Sequence, residues 1–347
     1  MISLNGIEKT VKNGHSVIHA LKGITLDIEQ GEVFGILGRK GAGKSALIRC
    51  INLLDPPSRG AVIIDSCDLT TLSTEALREA RRSIGMIFQH FNLLASRTVF
   101  ENVALPLELS GSPKSIFSAT VQSLLALTGL TDKREAYPHQ LNSEQKQRVA
   151  IARALVNRPK VLLCEEATAA LDPSAKQAIL QLLKEINEQF NLTILMMTHE
   201  LDVIKPICDR VAVLHQGEII EQGTVLELFT RPKTVVAKEL IRTTALLDLP
   251  ATLRHRLQPY PTEHSNPILR ISFASFTAEE SVIAEVIQHF QVSVNIIQAH
   301  LDTIRTESIG IMIAEMVGNS EEVKKAIQFL DNQDLHIEVL GYAPRSA

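Results

Sequence analysis

"VFGILGRKGAGKSALIRC", residues 33–50, contains the motif that says most about the fold. The apolar run Val33–Leu37 predicts a strand, and a helix is expected from Ala46 to about Leu53. The residues between them fit the pattern G-x-x-x-x-G-K-[ST]. Glycines allow successive N–H groups to point at phosphate oxygens, and the helix dipole adds its positive end. The predicted phosphate-binding loop consists of Gly38, Arg39, Lys40, Gly41, Ala42, Gly43, Lys44 and Ser45.

Four side chains are candidates for the chemistry at this loop. Lys44 is expected to reach the β- and γ-phosphates of a nucleotide, and the Ser45 hydroxyl is expected to bind Mg²⁺. A second apolar strand, Val161–Cys164, ends in Glu165 and Glu166. An acidic pair after a strand is often only solvated, but beside a phosphate loop one carboxylate can hold Mg²⁺ while the other polarises the attacking water.

The totals describe a folded protein large enough for two domains. The chain has 347 residues, of which 45% are hydrophobic and 21% charged, so it is neither disordered nor fibrous. Its net charge of -4 argues against a dedicated nucleic-acid binder. The four cysteines have no C-x-x-C spacing and read as reduced thiols. With no signal peptide and no apolar run of about 18 residues, we expect a soluble chain that reaches a membrane only through a partner.

Residues 1 to about 240 alternate short apolar runs with helical patterns, which predicts a largely parallel sheet covered by helices. The clearest strands are expected at Val33–Leu37, Ile84–Phe88, Val161–Cys164, Thr193–Met197 and Val211–Leu214. Prolines then punctuate a polar stretch near 247–267 that should sustain neither a helix nor a central strand. We therefore predict an α/β domain over residues 1–245 and a linker over 246–266.

The last 80 residues predict a separate small α+β domain, residues 267–343. Leu269, Ile271 and Phe273 alternate as in a strand, and two more strands are expected near 292–300 and 308–316. Helices are expected around 282–290 and 323–330, and a final strand over His336–Tyr342. The order β-α-β-β-α-β is that of a ferredoxin-like unit.

A series of motifs along the first domain adds a resemblance. Gln89 follows the strand IGMIFQ, "LNSEQKQRVAIARAL" occupies residues 141–155, and "ALDP" and "MMTHE" follow at 170–173 and 196–200. In this order and spacing, with the phosphate loop and the acidic strand end, they resemble the ATPase subunits of ABC transporters over roughly residues 1–240. The resemblance implies a P-loop NTPase fold with ATP and Mg²⁺ as cofactors.

The resemblance also implies a role for each motif. Gln89 would contact Mg²⁺ and sense a membrane subunit, Glu166 would be the catalytic carboxylate, and His199 would face the γ-phosphate. Asp172 would lie at the seam of a head-to-tail homodimer. In such a dimer each ATP is held between one phosphate loop and the other subunit's signature residues, here Asn142, Ser143, Glu144 and Gln145.

A closer resemblance covers nearly the whole chain. The segments 75–109 and "VLLCEEATAALDP", together with the appended C-terminal unit, resemble the ATP-binding subunits of bacterial methionine importers. That family implies two copies of an integral-membrane permease, a periplasmic or lipoprotein methionine-binding protein, and a peripheral location on the cytoplasmic face of the inner membrane. Its C-terminal domain binds methionine as a regulatory ligand that inhibits transport, which implies a site at or near Asn295. The alternative for Asn295 is a polar residue at a strand edge.

Several positions depart from the family pattern. The usual Leu-Ser-Gly-Gly-Gln is replaced at its three middle positions by Asn142, Ser143 and Glu144, which suit a helix N-terminus but put a negative charge where a γ-phosphate would bind. Ala46 lacks a hydroxyl and Lys40 replaces a small residue. Glu165 stands where aspartate usually holds Mg²⁺, and Val11 stands where an aromatic ring would stack on adenine. These departures predict weak nucleotide binding and slow turnover.

Three functions therefore remain open from the sequence. The first is a working methionine-importer ATPase. The second is a nucleotide-binding subunit of the same family with impaired hydrolysis. The third is an ATPase subunit that serves another amino acid or a peptide.

Overall fold

The computed structural model describes residues 1–13, 16–244, 249, 251–262, 264–274, 282–305, 307–333 and 335–344. By its internal contacts the chain divides into two compact units, Met1–Gly223 and Thr224–Ala347. Within the described residues, no helix is both long and apolar enough to cross a membrane.

The first unit contains two sheets and seven α-helices among its described residues. In chain order these elements are β1 (Ile2–Asn13), β2 (Ser16–Ile28), β3 (Val33–Leu37), α1 (Lys44–Ile51), β4 (Arg59–Ile64), β5 (Cys67–Asp68), α2 (Thr74–Ala80), β6 (Ile84–Ile87), α3 (Val99–Leu109), α4 (Lys114–Leu127), α5 (Ser143–Leu155), β7 (Val161–Glu165), α6 (Pro173–Phe190), β8 (Thr193–Thr198), α7 (Leu201–Ile207), β9 (Arg210–His215) and β10 (Glu218–Thr224).

The central sheet has the strand order β10-β9-β3-β8-β7-β6, and the pairs from β9 to β6 are parallel. Every residue of β3, β7 and β8 is buried, as expected for strands covered on both faces. The five strands predicted from apolar runs correspond to β3, β6, β7, β8 and β9. Because parallel strands end at the same edge of a sheet, the segments that follow β3, β6, β7 and β8 meet there.

An antiparallel sheet of order β2-β1-β4-β5 also belongs to the first unit, and the apolar pattern had not predicted it. The pairing of β1 with β2 changes register between Leu4 and Ile7 and again by Thr10. These irregularities break the strict alternation by which a half-buried strand is recognised in sequence. A separate hydrophobic cluster joins α3, α4 and α5 through Val103, Val121 and Val149.

The second unit consists of α8 (Val225–Thr230), α9 (Val235–Thr244), α10 (Ala251–Arg254), β11 (Ser265–Ala274), α11 (Val282–Phe290), β12 (Ser293–Ile304), β13 (Glu307–Val317), α12 (Ser320–Asp331) and β14 (Leu335–Pro344). Its antiparallel sheet has the order β12-β13-β11-β14. Residues of α11 and α12 pack with one face of this sheet, whereas Leu249, Leu253 and Leu257 pack with residues of the other face. The predicted order β-α-β-β-α-β is present, and the predicted α/β domain followed by a ferredoxin-like domain is confirmed.

The stretch interpreted as a linker contains more structure than its prolines suggested. Residues 251–254 form a short helix, and Pro267 lies within β11, which is a central strand. The strand tolerates Pro267 because its pairing with β13 begins one residue later, at Ile268. Residues 245–248, 250 and 263 lie outside the described part of the chain. The domain boundaries at 245 and 267 stay predictions, while the contact division falls earlier, after Gly223.

Candidate active site

The phosphate loop connects β3 to α1, as its sequence predicted, and its glycines have conformational reasons to be there. Gly43 has a φ of 113°, and a Cβ atom at this position would lie 2.8 Å from the Ala20 oxygen. A Cβ atom on Gly38 would lie 2.6 Å from the Leu214 oxygen. The loop is also fixed by neighbouring segments, since the Gly38 N–H donates to the Thr198 oxygen at 3.2 Å. Larger residues at Gly38 or Gly43 would displace the loop.

Lys44 is folded into the phosphate loop, with only 7% of its side chain exposed. Its Nζ donates to the Gly38 oxygen at 2.7 Å and to the Arg39 oxygen at 3.3 Å, and it lies 3.6 Å from Glu166 Oε1. Burial lowers the pKa of Lys44, and the Glu166 carboxylate opposes that shift. The Lys44 ammonium is therefore largely shielded from water. On binding of a phosphate, it would donate to phosphate oxygens in place of the Gly38 and Arg39 oxygens.

Glu166 lies one residue beyond β7 and has a positive φ of 45°. Its N–H donates to the Met197 oxygen at 2.9 Å, which ties this turn to β8. The Glu166 Oε1 atom lies 3.1 Å from His199 Nδ1 as well as 3.6 Å from Lys44 Nζ. The structure thus brings together three side chains that the sequence had placed in three separate motifs. A carboxylate between a cation and an imidazole is suited to orient and deprotonate a water molecule.

Three oxygen-bearing side chains are candidates for binding Mg²⁺. Ser45 is exposed at the start of α1, Glu165 ends β7 with 8% exposure, and half-buried Gln89 follows β6 by two residues. Strands β6 and β7 are parallel neighbours, so Gln89 and Glu165 lie at the same sheet edge. A hydroxyl, an amide and a carboxylate suit Mg²⁺, which needs few protein ligands. Among the described residues there is no group of three or more His, Cys, Asp or Glu placed to hold a metal.

The signature residues form the capped start of α5. Asn142 Oδ1 accepts from the Gln145 N–H at 2.8 Å, and Gln145 Oε1 accepts from the Asn142 N–H at 3.1 Å. This reciprocal capping box agrees with the expectation that Asn142 favours a helix N-terminus. Glu144 does not stand alone, because the Arg148 Nε donates to its Oε1 at 2.8 Å. The predicted negative charge is therefore partly neutralised by an arginine one turn along the helix.

Asp172 caps the next helix of the site. Its Oδ1 accepts from the Ala175 N–H at 2.9 Å, so Asp172 fixes the start of α6. On the same helix, Lys176 forms an ion pair with Glu200, the residue after His199. This pair had not been predicted, because 24 residues separate its members and only the fold brings them together. The ion pair connects the segment of Asp172 to the segment of His199.

Val11 lies on β1 directly opposite Ile18 of β2, and both residues are exposed, at 42% and 50%. Further along β2, the Ala20 oxygen lies beside the position that a Cβ atom of Gly43 would take. Strand β2 therefore passes beside the phosphate loop at Ala20, and Ile18, which pairs with the exposed Val11, lies two residues earlier on the strand. Ile18 had not been singled out from the sequence, although its strand pairing makes it a neighbour of Val11.

Asn295 lies in the second unit, on the edge strand β12, and is exposed. Its Nδ2 donates to Glu315 Oε2 at 3.4 Å, and Asn266 Nδ2 donates to Glu315 Oε1 at 2.9 Å. The strand register places Asn295 directly opposite Glu315. Two amides from different strands thus hold one carboxylate at the sheet surface.

Comparison with known proteins places these two units in named families. The family model "ABC transporter" matches residues 21–169, and the family model "NIL domain" matches residues 267–339. One similar solved structure is a dimeric post-hydrolysis state of an ATP-binding cassette bound to ADP and Pi. The two are 36% identical with a TM-score of 0.61, and the match covers 65% of this chain and 99% of that one. Another is cbiO1 from Clostridium perfringens, with a TM-score of 0.61 and 34% identity, covering 71% and 94%. The first unit therefore belongs to the class of ABC-transporter ATPases.

Relatives that match over the whole length narrow this class. The methionine import ATP-binding protein MetN of Vibrio cholerae is 51% identical over 342 residues, covering 99% of each chain. That of Escherichia coli O157:H7 is 50% identical over 342 residues, covering 99% of this chain and all of the relative. The chain belongs to the family of methionine import ATP-binding proteins, as the sequence resemblance had implied.

Proposed function

We propose that this chain is the ATP-hydrolysing subunit of a methionine importer. The observation that carries the proposal is the convergence of Lys44, Glu166 and His199 beside a phosphate loop, in a chain similar to MetN over its full length. ATP would bind with its phosphates on the loop and Lys44. Glu166 would then activate the attacking water, while His199 orients the carboxylate and stabilises charge near the γ-phosphate.

Mg²⁺ would be bound by Ser45, Gln89 and Glu165. When bound, it would neutralise charge on the β- and γ-phosphates. The Glu165 side chain is one methylene longer than that of an aspartate, so its carboxylate would reach further from the end of β7 toward the ion. Gln89 would then report the presence of Mg·ATP to the segment that follows β6.

The assembled transporter would contain two copies of this chain and two of an integral-membrane permease. In the dimer the capped start of α5 would close over the nucleotide held by the partner subunit, with Asp172 at the seam. A substrate-binding protein outside the membrane would supply methionine. The chain would lie peripherally on the cytoplasmic face of the inner membrane, held there by the permease. Closure on ATP and opening after hydrolysis would move the permease.

Hydrolysis of Mg·ATP by the assembled complex tests this function. We expect the Glu166→Gln variant to hydrolyse ATP at least about 100-fold more slowly, because a neutral amide cannot take a proton from water. Glu188→Gln provides a matched control, since Glu188 is exposed near the end of α6. A wild-type rate no higher than that of Glu166→Gln would refute the proposal and favour the alternative of a subunit with impaired hydrolysis.

The departures in the signature segment limit the rate in this proposal. Asn142 uses its side chain as a helix cap, and the segment lacks both glycines that give the usual motif its freedom. We expect the double change Asn142→Ser with Ser143→Gly to raise ATPase activity of the complex, since serine keeps the cap while glycine restores flexibility. Unchanged turnover would show that this segment does not limit hydrolysis.

For the second unit, the proposed ligand is methionine, bound near Asn295 as a signal that restrains transport. The Glu315 carboxylate, held by Asn266 and Asn295, offers an acceptor for the ligand's α-ammonium group. Calorimetry of the full chain with L-methionine tests this proposal. We expect binding that is lost in Asn295→Ala and Glu315→Gln but kept in the surface control Glu322→Gln. No heat from the wild type would remove the sensing role and leave the ATPase proposal intact.

A further inference from the structure

Arg153 connects two segments of the candidate site that lie far apart in sequence. It belongs to α5, eleven residues after the cap Asn142. Its guanidinium donates from Nη1 to the Asn92 oxygen and from Nη2 to the Phe91 oxygen, both at 2.6 Å. Phe91 and Asn92 directly follow Gln89 and His90. One arginine thus attaches the Gln89 segment to the helix that starts with the signature residues.

The backbone that Arg153 contacts has an unusual conformation. Phe91 and Asn92 have φ angles of 55° and 49°, in the left-handed region that residues with a Cβ atom seldom adopt. The Asn92 N–H also donates to the His90 oxygen at 2.5 Å, which tightens the turn. In this conformation the carbonyl groups of two successive residues both reach one guanidinium. Such a strained turn persists only where its surroundings hold it.

The environment of Arg153 favours a fixed position over a solvated one. The side chain is only partly exposed, and burial lowers the pKa of its guanidinium. A charge in such a position needs well-aligned acceptors, which the two carbonyl oxygens supply. The far end of the same loop is fixed from α3, where fully buried Asn102 bonds to both the N–H and the oxygen of Leu94. The loop is therefore held at both ends, and its Gln89 end is held from α5.

We infer that Arg153 is a positioning residue that makes Gln89 move with the signature helix. When α5 shifts as the dimer closes on ATP, the guanidinium would carry Phe91 and Asn92 with it, and so set where Gln89 meets Mg²⁺. This inference rests on the proposed ATPase function. It assigns no contact with nucleotide to Arg153 itself.

A double-mutant cycle between Arg153 and Gln89 tests the inference in the full chain. We expect Arg153→Met to lower kcat about 10-fold, because a misplaced Gln89 no longer meets Mg·ATP correctly. The Mg²⁺ concentration for half-maximal activity should rise, whereas KM for ATP should change less than about two-fold, since Lys44 and the phosphate loop are not altered. In a Gln89→Ala background, Arg153→Met should have no further effect on kcat beyond about two-fold.

Two further variants keep the test decisive. Arg153→Lys preserves the charge and can reach one of the two carbonyls, so it should recover part of the lost rate; if Arg153→Met does not fold, the cycle is run with Arg153→Lys. Arg158→Met removes an exposed arginine just beyond α5 and should leave kcat and the Mg²⁺ dependence unchanged. Equal effects of the Arg153 change with and without Gln89 would overturn the inference. A wild type without ATPase activity would instead overturn the proposed function.

Discussion

Replacing Arg148 by an uncharged residue should raise KM for ATP, because the negative charge of Glu144 would no longer be neutralised. In the structure the Arg148 Nε and Nη2 atoms both lie 2.8 Å from Glu144 Oε1, so the signature segment has little net charge at this point. Arg148→Met would leave Glu144 as an unpaired carboxylate at the start of α5. In the proposed dimer that carboxylate faces the γ-phosphate held by the partner subunit.

The size of the effect follows from the charges and their exposure. At about 6 Å and an effective dielectric constant of about 20, each unit of negative charge on the phosphate would repel Glu144 by roughly 3 kcal/mol. The side chains of Arg148 and Glu144 are 22% and 32% exposed, so water and salt reduce this repulsion. A net loss of about 1 kcal/mol corresponds to roughly a five-fold higher KM for ATP.

The assay is the KM for Mg·ATP of the assembled complex, at low and at high ionic strength. Arg148→Met also removes a hydrogen bond from Nη1 to the Thr128 oxygen, so the single variant could lose activity through instability. The double variant Arg148→Met with Glu144→Gln separates these causes, because it lacks the same hydrogen bond but also lacks the charge. We expect KM to fall in the order Arg148→Met, wild type, Glu144→Gln, with the double variant close to wild type.

Two results would refute this reasoning. If the double variant has the same high KM as Arg148→Met, the loss comes from the missing hydrogen bond and not from the charge. If the differences in KM do not shrink at high salt, screening is not acting on the interaction, and Glu144 does not face the phosphate.

Three further outcomes are expected. Gly43→Ala should abolish nucleotide binding and lower the free energy of unfolding in urea by about 2 kcal/mol or more, because its Cβ would lie 2.8 Å from the Ala20 oxygen. The control Gly111→Ala has a positive φ but no atom within 4 Å of the added Cβ, so it should lower the free energy of unfolding by only about 1 kcal/mol. Asp172→Ala should lower unfolding stability by about 1 kcal/mol through loss of the α6 cap, and a urea midpoint equal to wild type would contradict the capping role. At pH 8 a thiol reagent should label exposed Cys67 alone in the native chain and all four thiols in denaturant, since burial raises the pKa of Cys50 to about 11 and of Cys164 to about 12, and Cys208 is buried too.

Much of the fold was readable from local patterns. The fully buried strands β3, β7 and β8 contain the apolar runs 33–37, 161–164 and 194–197, and the phosphate loop follows the pattern G-x-x-x-x-G-K-[ST]. The pair β1 and β2 escaped prediction because bulges interrupt their alternation. The short helix at 251–254 and the position of Pro267 inside β11 also differ from the expectation. The strand tolerates Pro267, which has no N–H, because the pairing of β11 with β13 begins only at Ile268.

The candidate site divides in a similar way. The pairing of Glu144 with Arg148 follows from i, i+4 spacing on a helix and could have been read from the sequence. The ion pair of Lys176 with Glu200 could not, nor could the bonds from Arg153 to the turn after Gln89, because 61 and 62 residues separate Arg153 from its acceptors.

The amino-acid sequence is enough to show which functional groups are present: a phosphate loop, an acidic strand end, a histidine and a capped helix. Each is a short motif whose local geometry depends on near neighbours. Only the three-dimensional fold shows that Lys44 and His199 approach the same oxygen of Glu166. It also decided that Arg153 holds the Gln89 segment. Parallel strands end at the same edge of the sheet however far apart they are in sequence. A hydrogen bond depends on the positions of its donor and acceptor in space, and not on their separation along the chain.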